Sequence, residues 1–578
     1  MRHSRCGAAQ AAADVKVLIV GGGGVFGSRL AELLTRDKHE VTLASRDAKH
    51  LEPVARHLAC RTMTLNRTAE LTPILAAKPD VVIDAAGPFQ AYDNDPYRLA
   101  HFCVAHRINY LDLSDDARFT AGIVALNGDA MKSNVFALSG ASSVPAISAA
   151  AVTQLSRGMT AIESIDSAIL PGNRASRGRS LVAAILKQVG QPLRLWRDGW
   201  VEAPAWSAPR RYDIGDGAMR SARLIGAPDI ALFPGKFHAR SVTFRAGMEL
   251  GALNLAVSIY ARLHRLGLIK PTKGIVELAL LVAHLFESFG TDRGAMVVTV
   301  CGIEADIPVQ RLWRLRAEAG EGPFIPAAPA RALLRKLGQI APGARPCIDE
   351  LTMEELQAAM SDLAVTFENE QRRPLFQEIL GASWDRLAPP VRDLHSVCDR
   401  CRFAGTAQVD RGTGLGARLV ASIIGFPAAG HNVPVQVTIA TRPNGETWIR
   451  TFGRKSFRSQ LSMPAGGKGS GVMTERFGAV SVDIALDARD GELLYPVVGG
   501  RAFGIPLPKW LLPSSETREY QEGGKFHFDV ALGGPLGMGL IVRYRGFLER
   551  DRQTLGCQGQ ALASTSFNRR HCAGIDER

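Results

Sequence analysis

The sequence predicts an α/β protein: a Rossmann-type, doubly wound parallel sheet, then an α+β substrate domain, then a C-terminal, mostly antiparallel β domain. Three observations lead to this fold class. Residues 15–27 join an apolar run to a glycine-rich turn, strand-like and helix-like stretches alternate up to about residue 150, and period-two alternation prevails after residue 383. Alternating strands and helices are typical of parallel sheets, whereas period-two alternation is typical of half-buried antiparallel strands.

The first predicted strand ends in a glycine turn that suits a dinucleotide. Its apolar run, residues 15–20, is what a strand buried on both faces of a parallel sheet needs. Two glycine spacings overlap, GxGxxG at Gly22, Gly24 and Gly27 and GxxGxxG at Gly21, Gly24 and Gly27. Such a turn admits a pyrophosphate, and the following helix, from Val25 and Phe26, offers free N–H groups. We expect a bound dinucleotide; the alternative is an empty Rossmann unit used as scaffold.

The second predicted strand, residues 39–45, indicates which dinucleotide binds. NAD enzymes usually carry an acidic residue near the end of this strand, where it accepts a hydrogen bond from the ribose 2′-OH. Here the strand ends in Ser45, and Arg46 follows. A hydroxyl and a guanidinium suit a 2′-phosphate. We therefore predict NADP, bound by Ser45 and Arg46; the alternative is NAD, with Asp47 on the ribose.

The third predicted strand, residues 80–85, ends in small residues. Small side chains at the carboxyl end of a strand let a cofactor lie against the backbone, and the predicted contacts are Ala85, Ala86, Gly87, Pro88 and Phe89. Residues 109–113 and 134–139 are predicted as two further strands of the sheet.

Three residues near these strand ends are candidates for proton transfer beside a nicotinamide: Tyr92, Tyr110 and Asp112. A group that exchanges a proton with the substrate must come within hydrogen-bond reach of it. The alternative for each residue is a structural role in or beside a strand. The chain contains neither the YxxxK pair of short-chain dehydrogenases nor a GxSxG nucleophile motif.

These motifs resemble the saccharopine dehydrogenase-like oxidoreductases. The resemblance is carried by residues 82–89 (VIDAAGPF), Tyr92 and residues 110–113 (YLDL). Residues 169–174 (ILPGNR) and 196–199 (WRDG) resemble the bacterial branch of this family, which has a C-terminal domain of the DUF4166 type. The resemblance covers roughly residues 15–550 and implies that the AGPF turn closes over the nicotinamide side of the cofactor. The substrate is left open.

The chain is predicted to divide into six segments. These are a disordered tail (1–14), an NAD(P)-binding Rossmann domain (15–147), an α+β substrate or cap domain (148–310), helices that pack back on the oxidoreductase module (311–370), a DUF4166-like β domain (383–550) and a loose tail (551–578). The cap is expected to contain an antiparallel sheet. In the β domain, period-two alternation occurs at 433–441, 447–457, 479–486 and 526–532, a helix is predicted at 415–424, and Asn444-Gly445 and Asp490-Gly491 are hairpin-turn dipeptides. This domain either holds an apolar ligand or serves structure and dimerisation.

Composition favours an ordinary folded protein and narrows its partners. The net charge is +13, but the arginines are dispersed along the sequence and no basic helix appears. We therefore expect that the protein does not bind nucleic acid. The positive charge is expected to attract an anionic cofactor, substrate or membrane surface. The nine cysteines lack the spacing of a disulfide framework. His395, Cys398 and Cys401 form HxxCxxC, but without a second cysteine pair we predict reduced thiols and no metal.

Two apolar windows, residues 251–261 and 278–286, are too short to span a bilayer. The first interpretation is two buried or interfacial helices. The second is a peripheral, lipid-facing surface, since Arg262, His264, Arg265 and Lys270 flank the second window. The composition of residues 1–13 is not that of a signal peptide. We expect a cytoplasmic protein, with peripheral membrane contact and homodimerisation left open.

Together these observations predict an NADP-dependent oxidoreductase that transfers a hydride to or from a carbonyl, imine or enoyl carbon of a small-molecule substrate. Whether this substrate is lipid-like is left open. The alternative is a catalytically idle NADP-binding protein whose β domain binds a lipid or a protein partner.

Overall fold

The computed structural model describes residues 14–92, 95–176, 178–442, 445–464 and 467–551. In these residues the strands form three sheets: one parallel with seven strands, one mixed with nine, and one antiparallel with thirteen. This confirms the predicted fold class. The N-terminal tail up to residue 13, the C-terminal tail from residue 552 and the predicted turn residue Asn444 lie outside the described residues.

The first part of the chain alternates strands and helices, as predicted. Its strands are β1 (Lys16–Val20), β2 (Glu40–Ser45), β3 (Arg61–Thr64), β4 (Val81–Asp84), β5 (Asn109–Asp112) and β6 (Phe136–Ser139). Its helices are α1 (Val25–Arg36), α2 (Glu52–Leu58), α3 (Pro73–Ala77), α4 (Arg98–Ala105), α5 (Ala117–Gly122), α6 (Asn127–Ser133) and α7 (Ser148–Leu155). Short 3₁₀ turns lie at Ala48–His50, Phe89–Ala91 and Ile123–Leu126, and a π-helical turn lies at Ser143–Ile147.

The middle of the chain builds the second sheet and its helices. Its strands are β7 (Ala161–Leu170), β8 (Pro192–Arg197), β9 (Trp200–Pro204), β10 (Arg210–Asp213), β11 (Met219–Leu224), β12 (Ser241–Ala246), β13 (Gly294–Glu304), β14 (Ile307–Ala317), β15 (Gly343–Pro346) and β16 (Val365–Arg372). Its helices are α8 (Arg179–Gln188), α9 (Pro228–Phe237), α10 (Gly251–Arg265), α11 (Lys273–Leu285), α12 (Ala328–Arg335) and α13 (Met353–Ala359).

The parallel sheet has the strand order β15-β6-β5-β4-β1-β2-β3. From β1 the chain first builds β2 and β3 on one side and then crosses to β4 on the other, so the order reverses between β1 and β4. In open α/β sheets, ligands bind at the carboxyl ends of the strands at such a reversal. Val17, Leu18 and Ile19 are at most 1% exposed, because α-helices cover both faces of this central strand.

The second sheet differs in two ways from expectation. Its main order is β10-β11-β12-β7-β13-β14-β16, and β12 pairs with β7 in parallel, so the sheet is mixed where an antiparallel one was predicted. The parallel pair arises because about 70 residues separate β7 from β12, enough for a crossover. The segment 311–370, predicted as helices alone, also contains β15, which joins the first sheet, and β16, which ends the second.

The third sheet is built by the C-terminal part of the chain after α14 (Leu375–Leu380) and α15 (Pro389–His395). Its strands are β17 (Arg400–Arg411), β18 (Gly430–Arg442), β19 (Gly445–Phe452), β20 (Lys455–Ser462), β21 (Val472–Phe477), β22 (Val480–Ala485), β23 (Asp487–Arg489), β24 (Glu492–Leu494), β25 (Val497–Ala502), β26 (Ile505–Pro506), β27 (Ser514–Glu522), β28 (Lys525–Gly533) and β29 (Leu540–Arg550); α16 (Leu415–Ile424) follows β17. No described helix is both long and apolar enough to cross a membrane.

Two turns in the third sheet test the predicted hairpins and strands. Asp490 and Gly491 both have positive φ and join β23 to β24, as the dipeptide predicted. The stretch 447–457, however, is not one strand. Gly453 takes φ +55° and turns the chain between β19 and β20, because glycine adopts this left-handed conformation without steric cost.

An ion network centred on the buried Asp166 joins the second sheet to the third. Asp166 on β7 accepts hydrogen bonds from the Tyr212 hydroxyl at 2.6 Å and from Arg245. Arg210 lies 3.2 Å from Asp166 and donates to Asp399, just before β17, at 2.7 Å. Burial raises the pKa of Asp166, but the two arginines outweigh it and hold the pKa below its ordinary value. The contact between the two sheets is therefore charged and specific in geometry.

A second ion network ties α12 to the first helix of the Rossmann unit. Arg331 is 3% exposed and donates to both oxygens of Asp37, at 2.7 and 2.9 Å, and to Asp362 at 2.6 Å. Arg335 also binds Asp37, at 2.9 Å, but is 35% exposed. Burial raises the pKa of Asp37, yet these two guanidiniums hold it well below the ordinary value.

We expect Arg331→Met to lower the thermal midpoint of unfolding far more than Arg335→Met does. The first change removes the buried guanidinium and leaves Asp37 paired with Arg335 and Asp362 paired with Arg36, at a cost of about 1.5–3 kcal/mol. The second removes a partly solvated pair that is worth about 1 kcal/mol or less. Calorimetry on the full chain measures both variants, and equal shifts would show that the buried network does not anchor α12.

Candidate functional site

The turn after β1 is tight because glycine occupies its two most crowded positions. Gly21 has φ +82°, and a Cβ there would lie 2.6 Å from the Cα of Ala86. Its N–H donates to the carbonyl of Ala44 at 2.8 Å. A Cβ on Gly27 would collide with the carbonyl oxygen of Gly21. Of the two overlapping spacings, the geometry therefore uses GxxGxxG; Gly22 packs against the side chain of Leu43.

The N-terminus of α1 is open at Gly24. Gly24 caps the helix, and no side chain of the described chain bonds to the first-turn N–H groups. A Cβ on Gly24 would meet only the carbonyl oxygen of Gly21, at 3.2 Å, so the space beyond it is free. Gly24 is exposed, and Val25 and Phe26 are half-buried. Unpaired N–H groups at the positive end of a helix form an anion site.

The end of β2 presents the residues predicted for the ribose side. Ser45 is half-buried and Arg46 is exposed. Within the described residues the Arg46 guanidinium has no hydrogen-bond or ion-pair partner. Asp47 is engaged locally: its carboxylate accepts from the N–H of Lys49 at 3.0 Å and contacts His50 at 3.0 Å. The acidic side chain that could take a ribose 2′-OH is thus already part of a turn.

At the carboxyl ends of β1 and β4, where the strand order reverses, two segments form the walls of a crevice. The glycine turn is one wall, and the segment after β4 is the other. The N–H of Ala85 donates to the carbonyl of Val20 at 2.8 Å, which holds this segment beside the glycine turn. Ala85, Ala86, Gly87 and Pro88 are all half-buried. Phe89 is 6% exposed and packs on Tyr92 and Phe119 with ring centroids 5.0 Å apart. The wall is therefore formed by backbone and small side chains, and the buried Phe89 packs in the aromatic cluster next to it.

The three proton-transfer candidates occupy unlike positions. Tyr92 is half-buried, and its hydroxyl donates to the carboxylate of Asp84, at 2.9 and 3.1 Å from the two oxygens. Burial first, and then the Asp84 charge, raise the pKa of Tyr92 well above its ordinary value. Tyr110 is 1% exposed within the core of the sheet, where burial also raises its pKa. Tyr110 therefore packs as a core residue.

Asp112 holds the loop after β6. Its Oδ1 accepts hydrogen bonds at 2.9 Å from the Ser139 hydroxyl and from the N–H groups of Gly140 and Ser114. Its Oδ2 is buried and has no partner in the described chain. Burial raises the pKa of Asp112 to about 7 against the opposing effect of these hydrogen bonds. The residue is fully buried, which favours a positioning role over contact with a substrate.

Sequence reasoning missed the partners of Tyr92. Asp84 is fully buried at the end of β4, opposite Asp112 in the strand register. It accepts from the N–H of Ala86 at 3.0 Å, and burial raises its pKa. The guanidinium of Arg67 lies over the Tyr92 ring, 2.8 Å from its centroid. An acidic residue at the end of an otherwise apolar strand was the available signal for Asp84; nothing local marks Arg67.

The HxxCxxC residues are directed to separate partners. His395 is buried and contacts Glu519 at 2.5 Å. The sulfur of Cys401 accepts from the Nε of Arg550 at 3.1 Å, and the carbonyl of Cys398 accepts from Gln310. Among the described residues, no group of three or more His, Cys, Asp or Glu side chains could hold a metal ion.

Two solved structures that resemble this chain share little sequence identity with it. Saccharopine dehydrogenase (L-Glu forming) from Saccharomyces cerevisiae is 14% identical, with 61% of this chain and 100% of that chain covered and a TM-score of 0.44. UDP-N-acetylglucosamine 3-dehydrogenase GnnA from Acidithiobacillus ferrooxidans is 12% identical, with 61% and 96% covered and a TM-score of 0.29. Likenesses at this level carry no functional argument. No curated protein matches the chain.

Two family models match the chain itself. The model of the saccharopine dehydrogenase NADP binding domain matches residues 17–138, which contain the glycine turn and the AGPF segment. The model of a domain of unknown function, DUF4166, matches residues 387–548, which contain nearly all of the third sheet. Along the chain, a segment similar to the saccharopine dehydrogenase NADP binding domain is therefore followed by a C-terminal segment that matches DUF4166.

Proposed function

We propose that this protein is an NADP-dependent oxidoreductase acting on a carbonyl, imine or enoyl group of a small molecule. The observation that carries the proposal is the uncapped N-terminus of α1 at Gly24, placed where the strand order reverses between β1 and β4. The matching NADP-binding family model supports it. When bound, the nicotinamide would supply or accept a hydride at the substrate carbon.

The residues around the crevice fit the cofactor part by part. The open N–H groups from Val25 onward suit the pyrophosphate, and the backbone of Ala85 and Ala86 offers a flat wall for the nicotinamide side. Ser45 and the guanidinium of Arg46, which has no partner among the described residues, suit the 2′-phosphate of NADP. We favour NADP over NAD because Asp47 is engaged with Lys49 and His50.

Proton exchange with the substrate is assigned to Tyr92 together with Asp84. Asp84 is fully buried and Tyr92 is half-buried, so we assign to the Tyr92 hydroxyl the step that passes the proton of this pair to the substrate. Burial raises the pKa of Asp84, which favours proton retention by the carboxyl. A carboxyl so placed stores the proton that the substrate oxygen or nitrogen takes up when hydride adds to its carbon.

Gly24→Val is expected to abolish dinucleotide binding while leaving the fold intact. The new side chain would extend into the space that the pyrophosphate needs, yet its Cβ meets only one backbone oxygen, at 3.2 Å. Calorimetric titration with NADPH and a thermal scan measure both effects. Gly27→Val is the contrasting variant, and it should lose stability because its Cβ collides with Gly21. Retained NADPH binding by Gly24→Val would move the phosphate site elsewhere.

The wild-type protein should bind NADPH at least about tenfold more tightly than NADH, and Arg46→Ala should remove most of this preference. One charge-assisted contact to a phosphate is worth about 1.5–3 kcal/mol. The NADH affinity should stay the same, because the substituted side chain has no other partner among the described residues. Asp47→Ala is the control and should leave the preference in place. Equal affinities in the wild-type protein would refute the assignment.

Tyr92→Phe should lower kcat about 10²-fold or more without changing NADPH affinity, as loss of a general acid does. The substrate is first sought among compounds that accumulate in a deletion strain, with NADPH oxidation as the assay. Tyr97→Phe is the matched control, since this ring packs on Phe119 in the same aromatic cluster but its hydroxyl donates only to a backbone carbonyl. Equal effects of both variants would assign Tyr92 a packing role.

A further inference from the structure

Helices α10 and α11, with the segments that follow each of them, expose an unusual amount of apolar side chain. Nine large apolar residues here are between 37% and 74% exposed: Leu255, Ile259, Leu266, Leu268, Leu278, Leu281, Leu285, Phe286 and Phe289. We call this set the helical apolar surface. Isolated exposed leucines need no explanation, whereas so many within residues 251–289 mark a contact surface.

The exposed residues fall on one stripe of each helix. Leu255 and Ile259 are four residues apart on α10, and Leu266 continues the same stripe just after the helix ends. Leu278, Leu281 and Leu285 are spaced three and four apart on α11. A stripe with this period normally faces a protein core. Here α11 packs against α8, and Leu253, Asn254 and Ala261 are the buried residues of α10. The stripes of both helices face outward.

The charges from α10 to the start of α11 have one sign, and the two acidic residues farther along, Glu277 and Glu287, contact Arg179 and His284. Residues 251–274 contain Arg262, Arg265, Lys270 and Lys273 and no acidic residue. All four are exposed, and within the described residues none of them has an ion-pair partner. Arg262 lies on the same stripe as Leu255 and Ile259. Apolar side chains interleaved with unpaired cations are the pattern of helices that lie in the interface of an anionic membrane.

The helical apolar surface is connected to the cofactor crevice through α8. Arg179, the first residue of α8, pairs with Glu277 on α11 at 2.6 Å, and Tyr260 on α10 donates to the carbonyl of Leu186 at 3.3 Å. Gly178, which caps α8, lies beside Val25 of the glycine turn: a Cβ on Gly178 would be 3.6 Å from the Val25 side chain. The surface is thus one helix away from the phosphate-binding turn.

We propose that α10 and α11 dock this protein on the surface of an anionic lipid bilayer. The apolar stripes enter the boundary between headgroups and acyl chains, and the four cations bind lipid phosphates around them. With 13 residues, α11 is about 20 Å long, which suits a helix lying in the interface plane rather than across a ~30 Å hydrocarbon layer. The proposal is independent of the redox function, and it would place the crevice next to the lipid.

The test is sedimentation of the full-length protein with vesicles of phosphatidylcholine alone or with phosphatidylglycerol. We expect binding to be about tenfold or more stronger with phosphatidylglycerol and to weaken with salt. The triple change Leu278→Ser, Leu281→Ser and Leu285→Ser should reduce binding at least about tenfold. Arg262→Glu with Arg265→Glu should abolish the preference for the anionic lipid.

The matched control removes equally exposed apolar residues elsewhere. Phe503 and Ile505, in the β25–β26 hairpin, are 84% and 69% exposed, and their change to Ser should leave vesicle binding unchanged. NADPH affinity and the thermal midpoint verify that every variant is folded. Undiminished binding of the triple variant, or equal loss in the control, would overturn the proposal. A wild-type dimer that the triple variant turns into a monomer, without lipid binding, would show that a second copy covers the surface.

Discussion

The contact between the backbones of Gly21 and Ala86 is the constraint on which the rest of the site depends. Because no side chain separates the turn after β1 from the segment after β4, the two walls of the crevice meet directly at its floor. Gly27 allows α1 to start against this same turn, and the helix N-terminus is thereby aimed across the strand ends. The open N–H groups, the small-residue wall and the Asp84–Tyr92 pair all take their positions from this junction.

Local sequence patterns correctly predicted the elements whose structure depends on neighbouring residues in the chain. The glycine turn and the apolar run before it were sufficient for β1, α1 and the parallel sheet, because turn and strand burial are both encoded within about 15 residues. The same reasoning could not choose between Gly21 and Gly22 as the turn residue. That choice depends on the neighbours Ala86 and Leu43, which come from later strands. Stretch 447–457 was misread because alternation continues through a hairpin whose two strands share the pattern.

Ion pairs between residues that are far apart in the sequence could not be predicted from local patterns. Arg331 lies 294 residues from Asp37, and Arg210 lies 189 residues from Asp399, yet both pairs belong to ion networks that the fold assembles around a buried residue. Their residue types look like ordinary surface charges until the fold brings them together. The same holds for the site: Tyr92 was visible as a candidate, whereas its dependence on Asp84 and Arg67 was not. Site residues on one turn were therefore easier to predict than partners from separate strands.

The seventh strand of the parallel sheet has a consequence for synthesis of the protein on the ribosome. β15 pairs with β6 although about 200 residues lie between Ser139 and Gly343. At a translation rate of about 5–20 residues per second, β15 is synthesised about 10–40 s after β6. Throughout that interval the unpaired N–H and C=O groups of β6 form an open edge, which is a template for pairing with another chain. The nascent parallel sheet therefore keeps this open edge until β15 has been made.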